Sequence, residues 1–323
     1  MKLGYIGLGK MGYGMVEKML EKGHQVVAFN RSPEKVDSIK EKGAIPAYTI
    51  SEIFEKLEGG FSEKVEGGET VGDAKKNNGR KVIWLMVPWQ TVDEVLDQVI
   101  PNLKAGDIVI DGGNSPFEKS IERGKKLADL GFDFMDIGTS GGPSGARNGA
   151  CLMIGGKAET FAELENLFKD ISVENGYGYM GPAGAGHFVK MVHNGIEYGM
   201  MQAIGEGFEV LKSADKLFGQ SLDLKKVTGI YNNGSVIESR LIGWLDKAYA
   251  QNGLELDGIS GEVKHSGEGL WTVETAQKLG VPVENIKQSL DFRAASTGNP
   301  SYTGKVVSAL RNQFGGHDVK ENA

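Results

Sequence analysis

A glycine-rich turn directly after the first apolar run limits the folds that this chain can adopt. Residues 2–7 form that run, and residues 7–12 read Gly-Leu-Gly-Lys-Met-Gly where a helical pattern begins. In this context a GxGxxG segment makes a tight turn and lets the backbone approach a pyrophosphate, and the helix N-terminus adds N–H donors. A purely structural turn is the alternative. The predicted dinucleotide site comprises Gly7, Leu8, Gly9, Lys10, Met11 and Gly12.

Short apolar runs alternate with amphipathic stretches through the first half of the chain. The runs occupy residues 2–7, 25–30, 81–87, 107–111, 132–137, 150–154 and 173–180. This rhythm is typical of a doubly wound, mostly parallel sheet with helices on both faces. Beyond it the pattern is helical, with one long helix expected from about 186 to 218. We therefore predict an α/β Rossmann-type domain over residues 1–182 and an all-α substrate and dimerisation domain over residues 183–323.

Residues 58–80 fit neither half. They carry six glycines and few apolar side chains. A segment of this composition is predicted to be an insertion loop, with a lid or a partner contact as the functional alternative.

The charge and the cysteine content exclude several classes of function. Lys and Arg total 36 against 43 Asp and Glu, a net charge of -7, which argues against non-specific nucleic-acid binding and docking on anionic membranes. Cys151 is the only cysteine, so the chain forms no internal disulfide and suits a reducing compartment. With no long apolar run and no Cys/His spacing of the metal-ligand type, a cytoplasmic protein without a metal is expected.

The end of the second predicted strand bears on which dinucleotide binds. NAD sites tend to carry Asp or Glu there, whereas this chain has Asn30, Arg31 and Ser32. A guanidinium and a hydroxyl pair with a 2′-phosphate, which a carboxylate would repel. These residues predict NADP. The alternative is NAD, with Ser32 acting only as the N-cap of the next helix.

Residues 190–198 put five functional groups on one predicted helix. At about 100° per residue, Lys190, Asn194 and Glu197 share a face, and His193 and Tyr198 flank it. The apolar residues on its other faces and the glycines at 195 and 199 support a catalytic face, and a solvated helix face is the alternative that this pattern leaves open.

Four segments in combination resemble the 6-phosphogluconate dehydrogenases. They are residues 190–199, Asp-Gly-Gly-Asn-Ser at 111–115, Gly-Thr-Ser-Gly-Gly at 138–142 and Arg-Asn-Gln-Phe-Gly-Gly-His at 311–317. The resemblance covers nearly the whole chain except residues 58–80. It implies oxidative decarboxylation of 6-phosphogluconate to ribulose 5-phosphate and CO2 without a metal. It further implies that Lys190 is the general base and then the acid, and that Glu197 protonates C1 of the enediol.

The resemblance also implies the residues that bind substrate and nicotinamide. The substrate set is Asn114, Ser140, Gly141, Gly142, His193, Asn194, Tyr198, Arg293, Arg311 and His317; Val87, Pro88 and Asn114 would lie beside the nicotinamide. The C-terminal tail, with Arg311 and His317, is expected to reach the neighbouring subunit's site, which requires at least a homodimer.

One segment departs from the family pattern. Where long-form members have Lys-Gly-Thr-Gly-Lys-Trp, with a lysine on the phosphate, residues 266–271 read Ser-Gly-Glu-Gly-Leu-Trp. The change removes a cation and introduces Glu268, for which Lys264 or His265 could compensate. Two alternatives to the implied function are a dehydrogenase that oxidises a smaller 3-hydroxyacid without decarboxylation, and an inactive nucleotide-binding module.

Overall fold

The computed structural model describes residues 1–58, 79–264 and 267–319. Nearly all of the predicted insertion at 58–80 lies outside the described residues, as do His265 and Ser266. The chain divides into two compact units, Met1–Lys190 and Met191–Ala323. This boundary lies inside a long helix, whereas the sequence predicted a boundary at residue 182.

The first unit contains one eight-stranded sheet with strand order β3-β2-β1-β4-β5-β6-β7-β8. Strands β1 to β6 pair in parallel where they are neighbours, β7 runs antiparallel to β6, and β8 is parallel to β7. The strands are β1 (Lys2–Ile6), β2 (Gln25–Phe29), β3 (Ile45–Ala47), β4 (Val82–Leu85), β5 (Ile108–Asp111), β6 (Asp133–Ser140), β7 (Ala150–Gly156) and β8 (Ser172–Gly181).

Helices cover both faces of this sheet, which is why its central strands read as continuous apolar runs. All four residues of β4 are buried. Val82 and Trp84 belong to one hydrophobic core, and Ile83 and Leu85 belong to another, because successive side chains of a strand point to opposite faces. The helices of this unit are α1 (Lys10–Glu21), α2 (Pro33–Lys40), α3 (Ile50–Glu58), α4 (Val92–Val99), α5 (Phe117–Asp129), α6 (Gly142–Asn148) and α7 (Ala158–Ile171).

Helix α8 (Ala185–Lys212) begins in the first unit and continues into the second. The described part of the second unit contains helices and no strand, built around its own hydrophobic core. Its further helices are α9 (Asp215–Phe218), α10 (Leu224–Tyr231), α11 (Arg240–Asn252), α12 (Glu268–Leu279), α13 (Glu284–Ser296) and α14 (Tyr302–Gly315). The predicted fold class, a doubly wound Rossmann-type sheet followed by an all-α region, is confirmed.

Two details differ from the prediction. The long helix predicted to reach residue 218 ends at Lys212, and a separate one-turn helix, α9, follows and stops at Gly219 with a φ of 67°. Strand β3 was not predicted, because it has only three residues and contains Pro46. Proline is tolerated there since β3 is the edge of the sheet.

No helix in the described ranges has the length and apolar character needed to cross a bilayer.

Candidate active site

The glycine-rich turn joins β1 to α1 as the sequence predicts. Gly7 has a φ of 109°, and a side chain on it would collide with the carbonyl of Met86. A side chain on Gly12 would collide with the carbonyl of Gly7, whereas a Cβ on Gly9 would meet no atom within 4 Å. The first and third glycines therefore serve the packing of the turn, and the second leaves open space where a ligand can approach the N-terminus of α1.

Asn30, which follows β2, stabilises this turn through hydrogen bonds. Its Oδ1 accepts a hydrogen bond of 2.9 Å from the backbone N–H of Leu8, and its Nδ2 donates to the carbonyl of Ser32. Arg31 and Ser32 are exposed. Ser32 is the N-cap residue of α2, but its side chain makes no capping hydrogen bond within the described structure. Asn30 therefore has a structural role, and the polar ends of Arg31 and Ser32 are presented at the end of β2.

A cleft of about 420 Å³ opens beside the turn. It contains seven of the predicted cofactor residues: Gly7, Gly9, Asn30, Arg31, Ser32, Val87 and Pro88. Leu8, Lys10, Met11, Gly12 and Asn114 do not line it. The register explains the grouping, since Ile6 pairs with both Phe29 and Leu85, so the carboxyl ends of the three strands meet at one edge. That edge is the topological switch point where dinucleotides bind in doubly wound sheets.

Part of this lining was not predicted from the sequence. The missed residues are Ile6, Phe29, Ile50, Met86, Thr91, Glu94, Val95 and Gln98. Four of them recur every three or four residues along Thr91–Gln98, the spacing of a single helix face. That periodicity could have identified α4 as a wall of the cleft.

A buried ionic network fixes the turn after β5. The Asp111 side chain, which is fully buried, accepts hydrogen bonds from the Gly113 N–H at 3.0 Å, the Ser115 hydroxyl at 2.7 Å and Arg123 at 3.1 Å. Arg123 also makes two bonds to Asp93. Arg123 was not predicted, since it lies on a different helix from every predicted site residue.

Asn114, at the tip of that turn, has a φ of 54°. Its Oδ1 accepts from the Thr139 N–H at 3.0 Å, and its Nδ2 donates to the Thr139 carbonyl at 3.3 Å. The side chain thus continues the pairing of β5 with β6 beyond the end of β5. Ser140 ends β6, and Gly141 and Gly142, with φ of 112° and 61°, lead into α6.

Lys190 is held against β6. A side chain on Gly138 would collide with the Cβ of Lys190, so the glycine permits the close approach of α8 to the strand. Lys190 is 7% exposed. The start of α8 is anchored by Asp136 of β6, whose carboxylate accepts from the N–H groups of Gly184 at 2.6 Å and His187 at 2.7 Å. Burial raises the pKa of Asp136, and these N–H donors oppose the rise.

In the second unit, α8 presents His193, Asn194 and Glu197 close together. His193 Nδ1 lies 2.9 Å from Asn194 Oδ1 and 3.8 Å from Glu197 Oε2. Asn194 Nδ2 donates a hydrogen bond to Glu268 at the start of α12. Hydrogen bonds therefore link His193, Asn194 and Glu268, a residue from a distant part of the sequence, and the Glu197 carboxylate lies close to this group.

Tyr198, Arg293 and Arg311 form a buried cationic cluster. Arg293 is 1% exposed, and its guanidinium carbon lies 3.4 Å from the centroid of the Tyr198 ring. Neither Nη1 nor Nη2 of Arg293 has a hydrogen-bond partner among the described residues. Burial, together with a smaller contribution from the nearby charge of Arg311, lowers the pKa of Arg293 to about 10. Burial also lowers the pKa of Arg311. Two buried guanidiniums that repel each other are suited to an anion.

The position of Arg311 corrects one expectation. The family resemblance implied that it belongs to a C-terminal tail, but it lies inside α14 and is 6% exposed. The helix continues to Gly315, and Gly316 with a φ of 59° caps it. Arg311 interacts electrostatically with Tyr198 and Glu197 of its own chain. His317 follows the cap, with its ring against Phe314 at 6.3 Å between centroids.

Within the described ranges, no group of three or more His, Cys, Asp or Glu side chains is arranged to hold a metal ion.

Family comparisons cover both halves of the chain. The family model described as the NAD binding domain of 6-phosphogluconate dehydrogenase matches residues 2–181. The model described as the 6-phosphogluconate dehydrogenase C-terminal domain matches residues 186–312.

Individual relatives agree with these matches. The NAD(+)-dependent, decarboxylating 6-phosphogluconate dehydrogenase of Haloferax volcanii is 40% identical over 99% of this chain and 98% of its own length. The decarboxylating 6-phosphogluconate dehydrogenase 1 of Saccharomyces cerevisiae is 34% identical over 91% of this chain, which spans 58% of that relative. Among solved structures, Plasmodium falciparum 6-phosphogluconate dehydrogenase, studied with NADP+ and with 6-phosphogluconate, matches 92% of this chain and 62% of its own with a TM-score of 0.77 and 27% identity.

Proposed function

The chain belongs to the 6-phosphogluconate dehydrogenase family, and on that premise we propose that it oxidises and decarboxylates 6-phosphogluconate to ribulose 5-phosphate and CO2 with NADP as acceptor. The observation that carries the proposal is the cluster of Tyr198, Arg293 and Arg311. An isolated charge is costly to bury, and Arg293 is almost fully buried without a hydrogen-bond partner at either Nη within the described residues.

A phosphate dianion resolves both problems of this cluster. It offers oxygen acceptors for the two Nη groups, and its charge offsets the repulsion between the guanidiniums. A small monoanionic 3-hydroxyacid would give the pair little to bind at this position. The cluster therefore favours a phosphorylated substrate over the smaller acid of the alternative dehydrogenase.

We assign proton transfer at C3 to Lys190. A neutral amine takes the proton of the C3 hydroxyl as the hydride leaves, and the resulting ammonium donates a hydrogen bond to the new carbonyl oxygen. That oxygen gains negative charge when the carboxylate departs as CO2, so the same ammonium promotes the second step. Burial of Lys190 against Gly138 of β6 supports a fixed position for the amine.

We assign the last proton transfer to Glu197, which would protonate C1 of the enediol as general acid. Glu197 and Lys190 belong to the same helix, α8. His193 and Asn194, which lie between them in the sequence, would bind the hydroxyl groups of the sugar acid together with Asn114, Ser140, Gly141 and Gly142.

The residues at the edge of the sheet fit a nicotinamide dinucleotide. Gly9 leaves open space beside the N-terminus of α1, where a pyrophosphate gains N–H donors and the helix dipole. Val87 and Pro88 line the same cleft and would flank the nicotinamide. When bound, the nicotinamide accepts the hydride that leaves C3.

NADP is favoured over NAD by Arg31 and Ser32. Both are exposed at the end of β2 and line the cleft, and neither is used by the fold as Asn30 is. The second candidate is NAD, favoured by the carboxylate of Glu94 in the same lining, since a carboxylate opposes a 2′-phosphate.

Dimerisation belongs to the same proposal. We infer that the chain acts as at least a homodimer and that the segment after α14, which carries His317, completes the neighbouring site.

A substrate comparison tests the proposed function. With NADP in excess, kcat/KM for 6-phosphogluconate should exceed that for gluconate by about 100-fold or more, since charge-assisted hydrogen bonds contribute about 1.5–3 kcal/mol each. Equal turnover of the two acids would refute the role of the cationic cluster, and no turnover of either would refute the assigned reaction.

A further inference from the structure

Glu268 is the one acidic side chain in the first turn of α12, and that turn is held firmly against α8 in the second unit. Thr272 Oγ1 donates a 2.7 Å hydrogen bond to the Met191 carbonyl. Side chains on Gly195 and Gly269 would collide with Thr272 and with the Tyr198 ring, respectively. The two helices therefore pack closely at several positions along their length, and this packing holds the Glu268 carboxylate beside Asn194.

The contact between Glu268 and Asn194 decides which way the Asn194 amide points. An ionised carboxylate only accepts hydrogen bonds, so it selects the NH2 end of the amide. Asn194 Nδ2 accordingly faces Glu268, and Oδ1 faces His193 Nδ1 at 2.9 Å. The Glu268 carboxylate can only accept hydrogen bonds, so it fixes which of the two possible orientations the Asn194 amide adopts.

The amide in turn decides where His193 carries its proton. Asn194 Oδ1 is an acceptor, so the ring nitrogen facing it must be the donor, which requires Nδ1–H. The Glu197 carboxylate, 3.8 Å from the same Nδ1, favours the same arrangement. Neutral His193 then has Nε2 as its acceptor nitrogen.

We propose that Glu268 is a positioning residue that sets the tautomer of His193 through Asn194. The consequence for substrate binding rests on the proposed function, in which the substrate is a sugar acid with several hydroxyl groups. His193 Nε2, as an acceptor, receives a hydrogen bond from one of these hydroxyl groups, and the oxygen of that hydroxyl can still accept a hydrogen bond from a different donor. In the opposite tautomer the imidazole would donate at Nε2 and compete with other donors for the same hydroxyl oxygen.

The test is ¹⁵N NMR of the histidine rings in the full-length protein, with His193→Gln to assign the signal. The wild-type protein should show the Nδ1–H form of neutral His193. Glu268→Gln, whose amide both donates and accepts, should give a mixture of tautomers. Glu268→Lys, which only donates, should turn the Asn194 amide around and give the Nε2–H form.

Kinetics and a control separate positioning from mere support of the fold. Both Glu268 variants should lower kcat/KM for 6-phosphogluconate about tenfold or more while the Kd for the dinucleotide stays unchanged. Glu274→Gln removes an exposed carboxylate from the same helix and should change neither the tautomer nor the rate.

The NMR result stands independently of the reaction. An Nε2–H form in the wild-type protein, or an unchanged Nδ1–H form in Glu268→Lys, would overturn the proposal even if turnover is lost. If the wild-type protein fails to turn over 6-phosphogluconate but shows the expected tautomers, the proposed function fails and the assignment of Glu268 survives. Should either variant not fold, the wild-type spectrum alone still decides whether the inferred tautomer exists.

Discussion

Replacement of Arg293 by methionine should strengthen the fold and weaken substrate binding. Burial lowers the pKa of this guanidinium from its ordinary value to about 10. One pKa unit corresponds to 1.36 kcal/mol, so holding the charge in the folded state costs about 3 kcal/mol. Because the folded-state pKa is the lower one, this cost is fully present below about pH 10 and disappears only as the pH rises toward the unfolded value.

The contact with the Tyr198 ring offsets part of that cost. A desolvated cation–π contact contributes about 2 kcal/mol, and Arg293 lies 3.4 Å from the ring centroid. Methionine fills similar space without charge, so Arg293→Met should raise the free energy of unfolding by about 1 kcal/mol at neutral pH. Loss of the two Nη donors should weaken 6-phosphogluconate binding about 100-fold.

Urea unfolding and calorimetric titration measure the two effects. Arg240→Met is the matched control, since Arg240 is an exposed arginine over an aromatic ring, 5.2 Å from the centroid of Trp244. It should leave substrate affinity unchanged and alter the free energy of unfolding by no more than about 0.5 kcal/mol. Substitutions of residues that support the core typically lower the free energy of unfolding by about 2 kcal/mol or more. If Arg293→Met does so and leaves substrate affinity unchanged, Arg293 supports the fold and does not bind the phosphate.

Three further variants test other parts of the account. Lys190→Met should abolish both hydride transfer and CO2 release while the dinucleotide Kd stays within about twofold of wild type. Loss of a general base lowers the rate by about 100-fold or more, so a variant that keeps more than about 1% of the wild-type turnover would exclude the amine as base. Arg31→Asp should lower kcat/KM for NADP by about 100-fold and raise that for NAD; an unchanged ratio of the two would show that Arg31 does not read the 2′-phosphate. Coexpressed Lys190→Met and His317→Ala chains should regain about a quarter of wild-type activity if the C-terminal segment crosses between subunits, because half of the dimers are then mixed and each has one intact site. A mixture as inactive as its components would show that each site is built from one chain.

The cleft of the first unit could be predicted from local sequence, because most of its residues lie at the carboxyl ends of strands that the sequence identifies. In a parallel sheet the carboxyl ends of neighbouring strands share an edge, so Gly7 and Asn30 had to come together once β1 and β2 were recognised. The antiparallel course of β7 and the short edge strand β3 had no comparable signal. Turn geometry and edge position, not hydrophobic patterning, determine both.

The site contacts that the sequence did not reveal are long-range ones. Asn194 and Glu268 are 74 residues apart, and Arg123 reaches Asp93 across 30 residues. Helical spacing placed Asn194 on a face of α8, but nothing local indicates which helix packs against that face. Arg311 was placed in a tail because the family resemblance implied it, whereas the residue lies inside α14, which continues to Gly315.

The proposed oxidative decarboxylation is tested by the ratio of CO2 released to dinucleotide reduced, with 6-phosphogluconate labelled at C1. The wild-type protein should release one labelled CO2 for each NADP reduced, because Lys190 serves both steps. Dinucleotide reduction without release of labelled CO2 would contradict this prediction and identify a dehydrogenase that stops at the 3-keto acid.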